Sequence, residues 1–576
     1  MIAWPSRLGI LAIAGVLTLS MGCGPRSESD AKEAKKPSFI KRQVEQDTKL
    51  PDVPVPTFED RTAQAGITWR LGYKPRPKPL TLLEIVPGGC AAVDLDGDGN
   101  TDLLFLGIEG VGNTGKCALY KGKGDGTFTD VTAGSGIETP GFYMGCAVAD
   151  IQNDGKPDIV LTGYGVVRLY INLGNLRFRD ATAGSGLEAP TKTTFNSSAG
   201  FADYDRDGLP DLYIGRYAKF DSTVTQWCNY SGVESGCGPL MYDAEIGSLY
   251  RNLGNGKFQD VTVKVGMDSA HGKCLGVVWC DYNNDGWPDL YLGNDEMTGD
   301  LFLNEKGKRF KNVGVMAGVA LTEEGQFHGA MGVDFGDFDR DGKFDLVVTT
   351  FQNEATALYR NNGDGLFTNL SRPSGVDMAT RPLVGFGVRF VDLDNDGWLD
   401  LPIANGHIYS NAEQVDKNIT YAQPMHLLMN FKGERFYDRA KDAGPGFAGV
   451  FVGRALAASD LNNDGLVDLV AVDLEGAPRV LINTTKNPRK WLRVTLEGRK
   501  SNRMALGAVV TVKAGQAHWV AQCTTSGSYL TGNDPRVHFG LGDIERVDSV
   551  EVRWPNGAVS SVKNPKVPGD LKMVEP

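Results

Sequence analysis

Seven stretches of this chain share one spacing, D-x-[DNQ]-x-D-G-x-x-D, and that repeat limits the possible folds more than any other feature. They occupy 94–102, 150–158, 203–211, 281–289, 337–345, 392–400 and 460–468. Each is followed by a short apolar run such as LLFLG, LYIGR or LVAVD, which reads as a strand buried on both faces. In most repeats a second element follows, for example LYRNLGNGKFQDVT: two strands around an Asn-Gly or Asp-Gly hairpin turn. Each unit is therefore four strands, with the Asp-rich loop joining the first two. Glycine supplies these turns, at 73 of 576 residues against a usual level of about 7%.

The outermost strand has its own signature, F-x-[DN], at Phe128, Phe178, Phe258, Phe310, Phe367 and Phe436. The seventh loop lacks one downstream, and the missing copy stands upstream of everything, at Phe58. The N-terminal segment is thus expected to supply the outer strand of the last unit, hiding its open edge. This predicts an all-β fold, a seven-bladed β-propeller whose N-terminal strand closes the last blade. Residues 490–573 show short alternating strands and Gly turns, which predicts a small β-sandwich-like domain after it.

Within each loop, positions 1, 3 and 5 put side-chain oxygens on one side of a tight turn, Gly at position 6 permits the turn, and position 9 adds a carboxylate. Hard oxygen donors at this density point to Ca²⁺, up to seven ions. The ligand candidates are Asp94, Asp96, Asp98 and Asp102; Asp150, Gln152, Asp154 and Asp158; Asp203, Asp205, Asp207 and Asp211; Asp281, Asn283, Asp285 and Asp289. The last three loops add Asp337, Asp339, Asp341 and Asp345; Asp392, Asp394, Asp396 and Asp400; Asp460, Asn462, Asp464 and Asp468. Loops with Gln152, Asn283 or Asn462 carry one charge fewer and should bind more weakly. An EF-hand would need Glu at position 12, where these loops have Phe105, Leu161, Ile214, Leu292, Val348, Ile403 and Ala471. The alternative is a set of turns stabilised by their own Asx side chains without metal. The formal charge of −12, which seven divalent ions would roughly cancel, argues against a nucleic-acid binder.

The amino end reads as an export signal. Arg7 precedes an apolar run, Leu8 to Leu19, too short to span a bilayer. Ser20-Met21-Gly22-Cys23 resembles the end of a bacterial lipoprotein signal, which implies lipidation at Cys23; ordinary secretion is the alternative. The expected layout is a signal peptide at 1–22, a polar and Pro-rich tether at 23–56, the repeats at 57–486 and a last domain at 487–576. In an exported protein, Cys228 and Cys237 around NYSGVESG read as a disulfide. Cys90 and Cys146 read as buried thiols.

Two intervals between loops are long, and their insertions, about 216–246 and 404–425, both follow a second strand. Both should lie at the end of the units away from the Asp loops. Trp227, Tyr230, Tyr242, His407 and Tyr409 form the candidate recognition patch there, with His271 and His328 at the same end. The competing reading is that these aromatics only cap and fill the fold. A three-histidine metal site from His271, His328 and His407 has no supporting local spacing. Asp295, Glu296 and Asp300 are the acids available to an enzyme.

The Asp loops and F-x-[DN] strands resemble the FG-GAP/VCBS repeats of integrin α-chain propellers. Beyond Asn487, WLRVTLEG, SNRMALGA, GSYLTGNDPRVHFGLG and VEVRWPNG resemble the ASPIC/UnbV domain that ends cartilage-acidic-protein-like proteins. YLTGN departs from the usual Tyr-Leu-Ser-Gln run. The resemblance implies a ligand face opposite the calcium loops. Together these readings predict an exported, lipid-anchored, calcium-binding surface recognition or adhesion protein without catalytic activity. Its partner would be an extracellular protein or glycan, with no nucleic acid and no membrane contact beyond the anchor. The alternative is a secreted polysaccharide-acting enzyme with its site at the channel mouth of that face.

Overall fold

The computed structural model describes residues 54–73, 79–224, 226–486 and 489–576. The expected signal peptide, Cys23 and the tether up to residue 53 lie outside them. Residues 53–576 form one compact unit.

The repeat resolves into seven small antiparallel sheets. In unit three, Asn196–Ala202, Asp211–Arg216, Ser248–Asn252 and Phe258–Asp260 lie side by side in chain order. Unit four follows suit with Cys274–Cys280, Asp289–Met297, Asp300–Asn304 and Phe310–Asn312, and His328–Gly329 adds a short fifth strand. In six of the seven units the position-9 aspartate is the first residue of the second strand. The apolar runs are buried on both faces, as at Asp158–Tyr164 and Asp211–Arg216. The N-terminal strand Phe58–Asp60 completes the last sheet, antiparallel to Arg479–Asn483 with Phe58 opposite Asn483.

The expectation of a seven-bladed β-propeller followed by a small β-sandwich-like domain is corrected on two counts. First, among the described residues backbone ladders stop at the edge of each four- or five-stranded sheet, and no sheet is closed on itself into a barrel or propeller. Counting strands reveals partners within a sheet; it says nothing about closure between sheets, which here meet through apolar side chains and isolated amide bonds. Second, the C-terminal part does not simply follow the repeats. It forms two sheets, one of Lys490–Glu497, Val537–Gly542 and Gly569–Val574, the other of Val509–Ala514, Ala517–Gln522, Ser549–Arg553 and Val559–Lys563. Between them the chain leaves to place Thr531–Gly532 parallel to Cys90–Ala91, as a fifth strand of unit one.

This excursion carries the YLTGN run. Tyr529 donates to Val86 O at 2.7 Å, Ser528 to Leu456 O at 2.7 Å and Thr525 to Val148 O at 2.8 Å. Tyr529 also packs edge-on against Phe386, with centroids 4.9 Å apart. The run therefore sits among first strands of several units and shares their apolar core.

Phe58 is fully buried, packs on Phe447 at 5.2 Å and donates its N–H to Ala443 O at 2.8 Å. Phe58→Ala is expected to cost about 3–5 kcal/mol, measured by denaturant unfolding. Deletion of residues 1–56 should leave solubility intact. Deletion of 1–61 should bare the Arg479–Asn483 edge and cause aggregation, and equal solubility of the two truncations would contradict the strand exchange.

Candidate functional site

Each Asp loop is built by the same bonds. The position-1 carboxylate accepts the N–H of the position-6 glycine in all seven loops, from Gly99 to Asp94 at 2.8 Å through Gly465 to Asp460 at 2.9 Å. Those glycines have φ between +84° and +90°, which side-chain-bearing residues rarely adopt. Position 4 is also left-handed, and it is Asn in four loops, a residue that tolerates this backbone. The position-5 carboxylate accepts the position-7 N–H, as from Leu209 to Asp207 at 3.0 Å.

Position 9 binds the loop to the sheet. One oxygen of Asp211 accepts Tyr204 N at 3.1 Å and the other accepts Asn252 N, on the third strand, at 2.8 Å. Asn252 then donates its amide to Ile151 O of the preceding loop at 3.0 Å. The same amide link recurs from Asn172, Asn304, Asn361, Asn430 and Asn483. Unit one has Gly122 at this position and instead reaches the seventh loop from Gly126 N to Leu461 O at 3.3 Å.

Four loops gather carboxylate oxygens from positions 1, 3 and 9 within 4.8 Å of one another: Asp94, Asp96 and Asp102; Asp203, Asp205 and Asp211; Asp337, Asp339 and Asp345; Asp392, Asp394 and Asp400. These are the loops with Asp at position 3; those with Gln152, Asn283 and Asn462 form no such triad. Buried oxygens of Asp96, Asp205, Asp281, Asp289 and Asp337 have no hydrogen-bond partner. Burial, followed by neighbouring carboxylates, pushes Asp102, Asp158, Asp203 and Asp337 up to about 7. Crowded, desolvated and partly unpartnered oxygens are what a hard divalent cation satisfies, so these donor sets fit one.

The chain's own bases supply part of the positive charge. From third strands, Lys121 bonds Asp96 and, at 2.8 Å, Asp98; Arg251 bonds Asp205 at 2.6 Å and Asp207 at 2.7 Å; Arg360 bonds Asp339 and, at 3.1 Å, Asp341. From the C-terminal part, Arg553 reaches Asp281 at 2.6 Å, Arg489 reaches Asp394 at 2.6 Å and Arg493 reaches Asp460 at 3.0 Å. Trp519 adds a bond to Gly397 O at 3.1 Å. The C-terminal domain thus lies against the Asp loops, a contact the sequence reading missed.

The second strands carry the chain to the opposite end. From Asp289 to Asp295 is six residues of extended strand, roughly 20 Å. There a cavity of about 400 Å³ is lined mainly by apolar and aromatic groups, among them Tyr217, Tyr230, Tyr409, Phe351 and Phe386, with the carboxylates of Asp295 and Glu296. The two insertions meet over it. Tyr409 donates to Tyr230 Oη at 3.1 Å, Ser235 to Asn411 Oδ1 at 2.8 Å and Asn411 to Glu234 O at 2.9 Å. A Cys228–Cys237 disulfide staples the hairpin of Trp227–Tyr230 and Val233–Gly236 that carries Tyr230. Tyr217 donates to Asp295 at 2.5 Å.

Of the other expected residues, His407 stays beside the cavity wall, its ring 5.5 Å from Tyr409 and 5.6 Å from Phe351, and the rest disperse. Tyr242 packs on Phe220 with centroids 5.5 Å apart, and Trp227 is half-buried in the hairpin, opposite Gly236. His271 bonds the buried Asp300 through Nδ1, which raises the imidazole pKa. His328 is buried against Tyr359 Oη at 2.8 Å, and His407 bonds Gln352 at 3.2 Å; burial lowers both to about 4. The three histidines have separate partners, and among the described residues no histidine joins a metal-capable cluster. Cys90 and Cys146 are buried free thiols. Tyr217, Phe351 and Glu354 were not foreseen, although the first two stand six residues after a position-9 aspartate, a register visible in the repeat.

An FG-GAP-like repeat profile matches overlapping stretches within 94–214 and 242–401, and an ASPIC and UnbV profile matches 498–576. Cartilage acidic protein 1 of Xenopus tropicalis is 26% identical over 493 residues, 82% of this chain and 70% of that protein. The Mus musculus protein of that name is 25% identical over 494 residues, 82% of this chain and 62% of that one, so the chain spans less than two thirds of its length. A solved Agrocybe aegerita structure, described as specific for non-reducing terminal N-acetylglucosamine, aligns at TM-score 0.39 and 18% identity. It covers 69% of this chain and 86% of that one, a likeness too loose to argue from. The chain carries FG-GAP-like repeats and a C-terminal ASPIC and UnbV domain, a combination that matches the cartilage-acidic-protein-like family.

Proposed function

We propose that this chain is an exported recognition module, stabilised by Ca²⁺ in its Asp loops, that takes an extracellular protein or glycan at the cavity on the opposite end. The oxygen-only donor sets favour Ca²⁺ over softer metals. Bound there, the ion would neutralise the position-1, -3 and -9 carboxylates and hold each loop. The lipoprotein-like start supports tethering to the cell envelope through Cys23. No described helix is long and apolar enough to cross a membrane.

The observation that carries the reading is the cavity. Two insertions absent from the other units converge on it, and Tyr230, Tyr409 and apolar walls offer enclosed contact surface. A second reading has one observation in its favour. Burial raises Asp295 and Glu354 to about 7, within the range of a general acid, which suits an enzyme acting on polysaccharide.

Four outcomes are expected. Chelation should lower Tm, with Ca²⁺ restoring it better than Mg²⁺. At about 1 mM Ca²⁺ and a Kd of about 0.1 mM each site contributes about 1.4 kcal/mol. Calorimetric titration should resolve the four Asp-only triads as the tighter class, and Tm indifferent to Ca²⁺ would refute the metal reading. In the Ca²⁺-depleted protein, buried loop carboxyls bind protons more tightly folded than unfolded. Stability should therefore fall as pH rises from 3.8 to about 7, and saturating Ca²⁺ should flatten that slope in thermal melts. Finally, Tyr409→Ala and Tyr230→Ala should abolish retention of hits from glycan and extracellular-protein arrays while leaving Tm within a few degrees. Product formed from a retained polysaccharide by wild type and not by Asp295→Asn would instead favour the enzyme.

A further inference from the structure

The repeat itself is the reference against which Asp295 stands out. Six residues after each position-9 aspartate the chain has Ile108, Tyr164, Tyr217, Asp295, Phe351, Gly406 and Leu474. Six of the seven are uncharged, and Ile108, Tyr164, Tyr217 and Leu474 are buried core residues. Unit four alone places a carboxylate there, and it accepts the hydroxyl of the buried Tyr217. The local backbone is unusual as well. Glu296 has φ +53°, Lys273, whose carbonyl accepts Asp295 N at 2.9 Å, has φ +52°, and the pairing of Asp295 and Met297 with Gly329 and His328 shifts register. Strained backbone and bulges of this kind cluster where a side chain is being aimed at a ligand.

Around these two carboxylates the walls are aromatic and aliphatic: Tyr217, Tyr230, Tyr409, Phe351, Phe386 and Met331. The hydroxyls of Tyr217, Tyr230 and Tyr409 are engaged with protein groups. What remains for a ligand is ring surface, hydrocarbon, negative charge and the single hydroxyl proton of Tyr230, which accepts in both of its bonds. The charged neighbours are Lys273, whose ammonium donates to Pro239 O at 2.9 Å, Arg454, whose guanidinium stacks on the Phe386 ring at 3.9 Å and donates to Ile85 O at 2.7 Å, and Glu354, which accepts Gly329 N at 2.8 Å in the adjoining cavity. Three acids against two bases leave the site anionic when all are ionised.

Accepting the cavity as the recognition site, we propose that it selects a cationic nitrogen carried on an apolar or aromatic group, with Asp295 and Glu296 supplying the counter-charge and the ring faces receiving the ammonium. A ring face and a desolvated carboxylate both favour a cation over its neutral isostere. A neutral sugar would instead require convergent hydrogen-bond donors, and an anion would meet two carboxylates. Because burial raises Asp295 and Glu354 to about 7, cation binding should strengthen between pH 6 and pH 8.

The test uses the full chain with Ca²⁺ and three probes: phenethylammonium, 2-phenylethanol and phenylacetate, followed by calorimetry and ligand-observed NMR. Phenethylammonium should bind about tenfold or more tighter than 2-phenylethanol at pH 8, with phenylacetate weakest. Glu296→Gln and Asp295→Asn should each erase most of that preference while retaining 2-phenylethanol binding, with folding checked by thermal melts. Glu296 is half-buried and outside the core, so its variant serves if Asp295→Asn proves unstable. Equal binding of the alcohol and the ammonium, an unchanged preference in Glu296→Gln, or no binding of any probe would overturn the proposal. Array hits that depend on Tyr409 yet carry no cationic group would sink this ligand class and leave the recognition reading standing.

Discussion

The position-9 aspartate is the residue on which the rest of the structure depends. It starts the second strand, and its two oxygens tie the Asp loop to the third strand, as at Asp211 and Asp468. Seven carboxylates taken out of water are a large desolvation cost, which backbone N–H donors offset only in part. The raised carboxyls of the loops express the remainder. Metal binding and folding are therefore one problem in this chain, because the groups that would ligate a cation are the groups that hold strand to loop.

Much of this was legible in the sequence because it is local and repeated. Loop spacing, strand boundaries and the displaced Phe58 strand follow from counting, and a period seen seven times outweighs the ambiguity of any one copy. The closed propeller did not follow, since pairing counts stop at the edge of a sheet. The docking of the C-terminal domain was illegible for a different reason. Arg553 bonds Asp281 across 272 residues and Tyr529 bonds Val86 across 443, and no periodicity marks either partner. The YLTGN run, whose role the sequence left open, turns out to be a packing element among first strands.

The candidate site divides the same way. Tyr230 and Tyr409 were expected together because the insertions of the third and sixth units lie on the same end, and they do meet. Tyr242, His271 and His328 did not join them, because each has a nearer partner: Phe220, Asp300 and Tyr359. A histidine or tyrosine near an insertion more often completes the core than faces a ligand. Departure from the repeat was the better guide. At Asp295 an acid stands where six sister positions are uncharged, and that departure was visible in the sequence.

One domain touches both ends of the units. Arg489, Arg493 and Arg553 bond loop carboxylates, while Tyr529 packs on Phe386, which lines the cavity. A cation entering loops four, six or seven must share Asp281, Asp394 or Asp460 with an arginine, so its binding energy depends on how that domain is seated. Whatever shifts the seating is felt at Tyr529 and hence at the cavity wall. Coupling of this sort is reciprocal: a ligand that preferred one seating would alter cation affinity at the distant loops by the same factor. The second strands add a rigid path, since Asp289 and Asp295 are fixed on one extended segment. On the proposed reading, the stabilising ion and the recognised group would be held at opposite ends of the same strand and under the same domain.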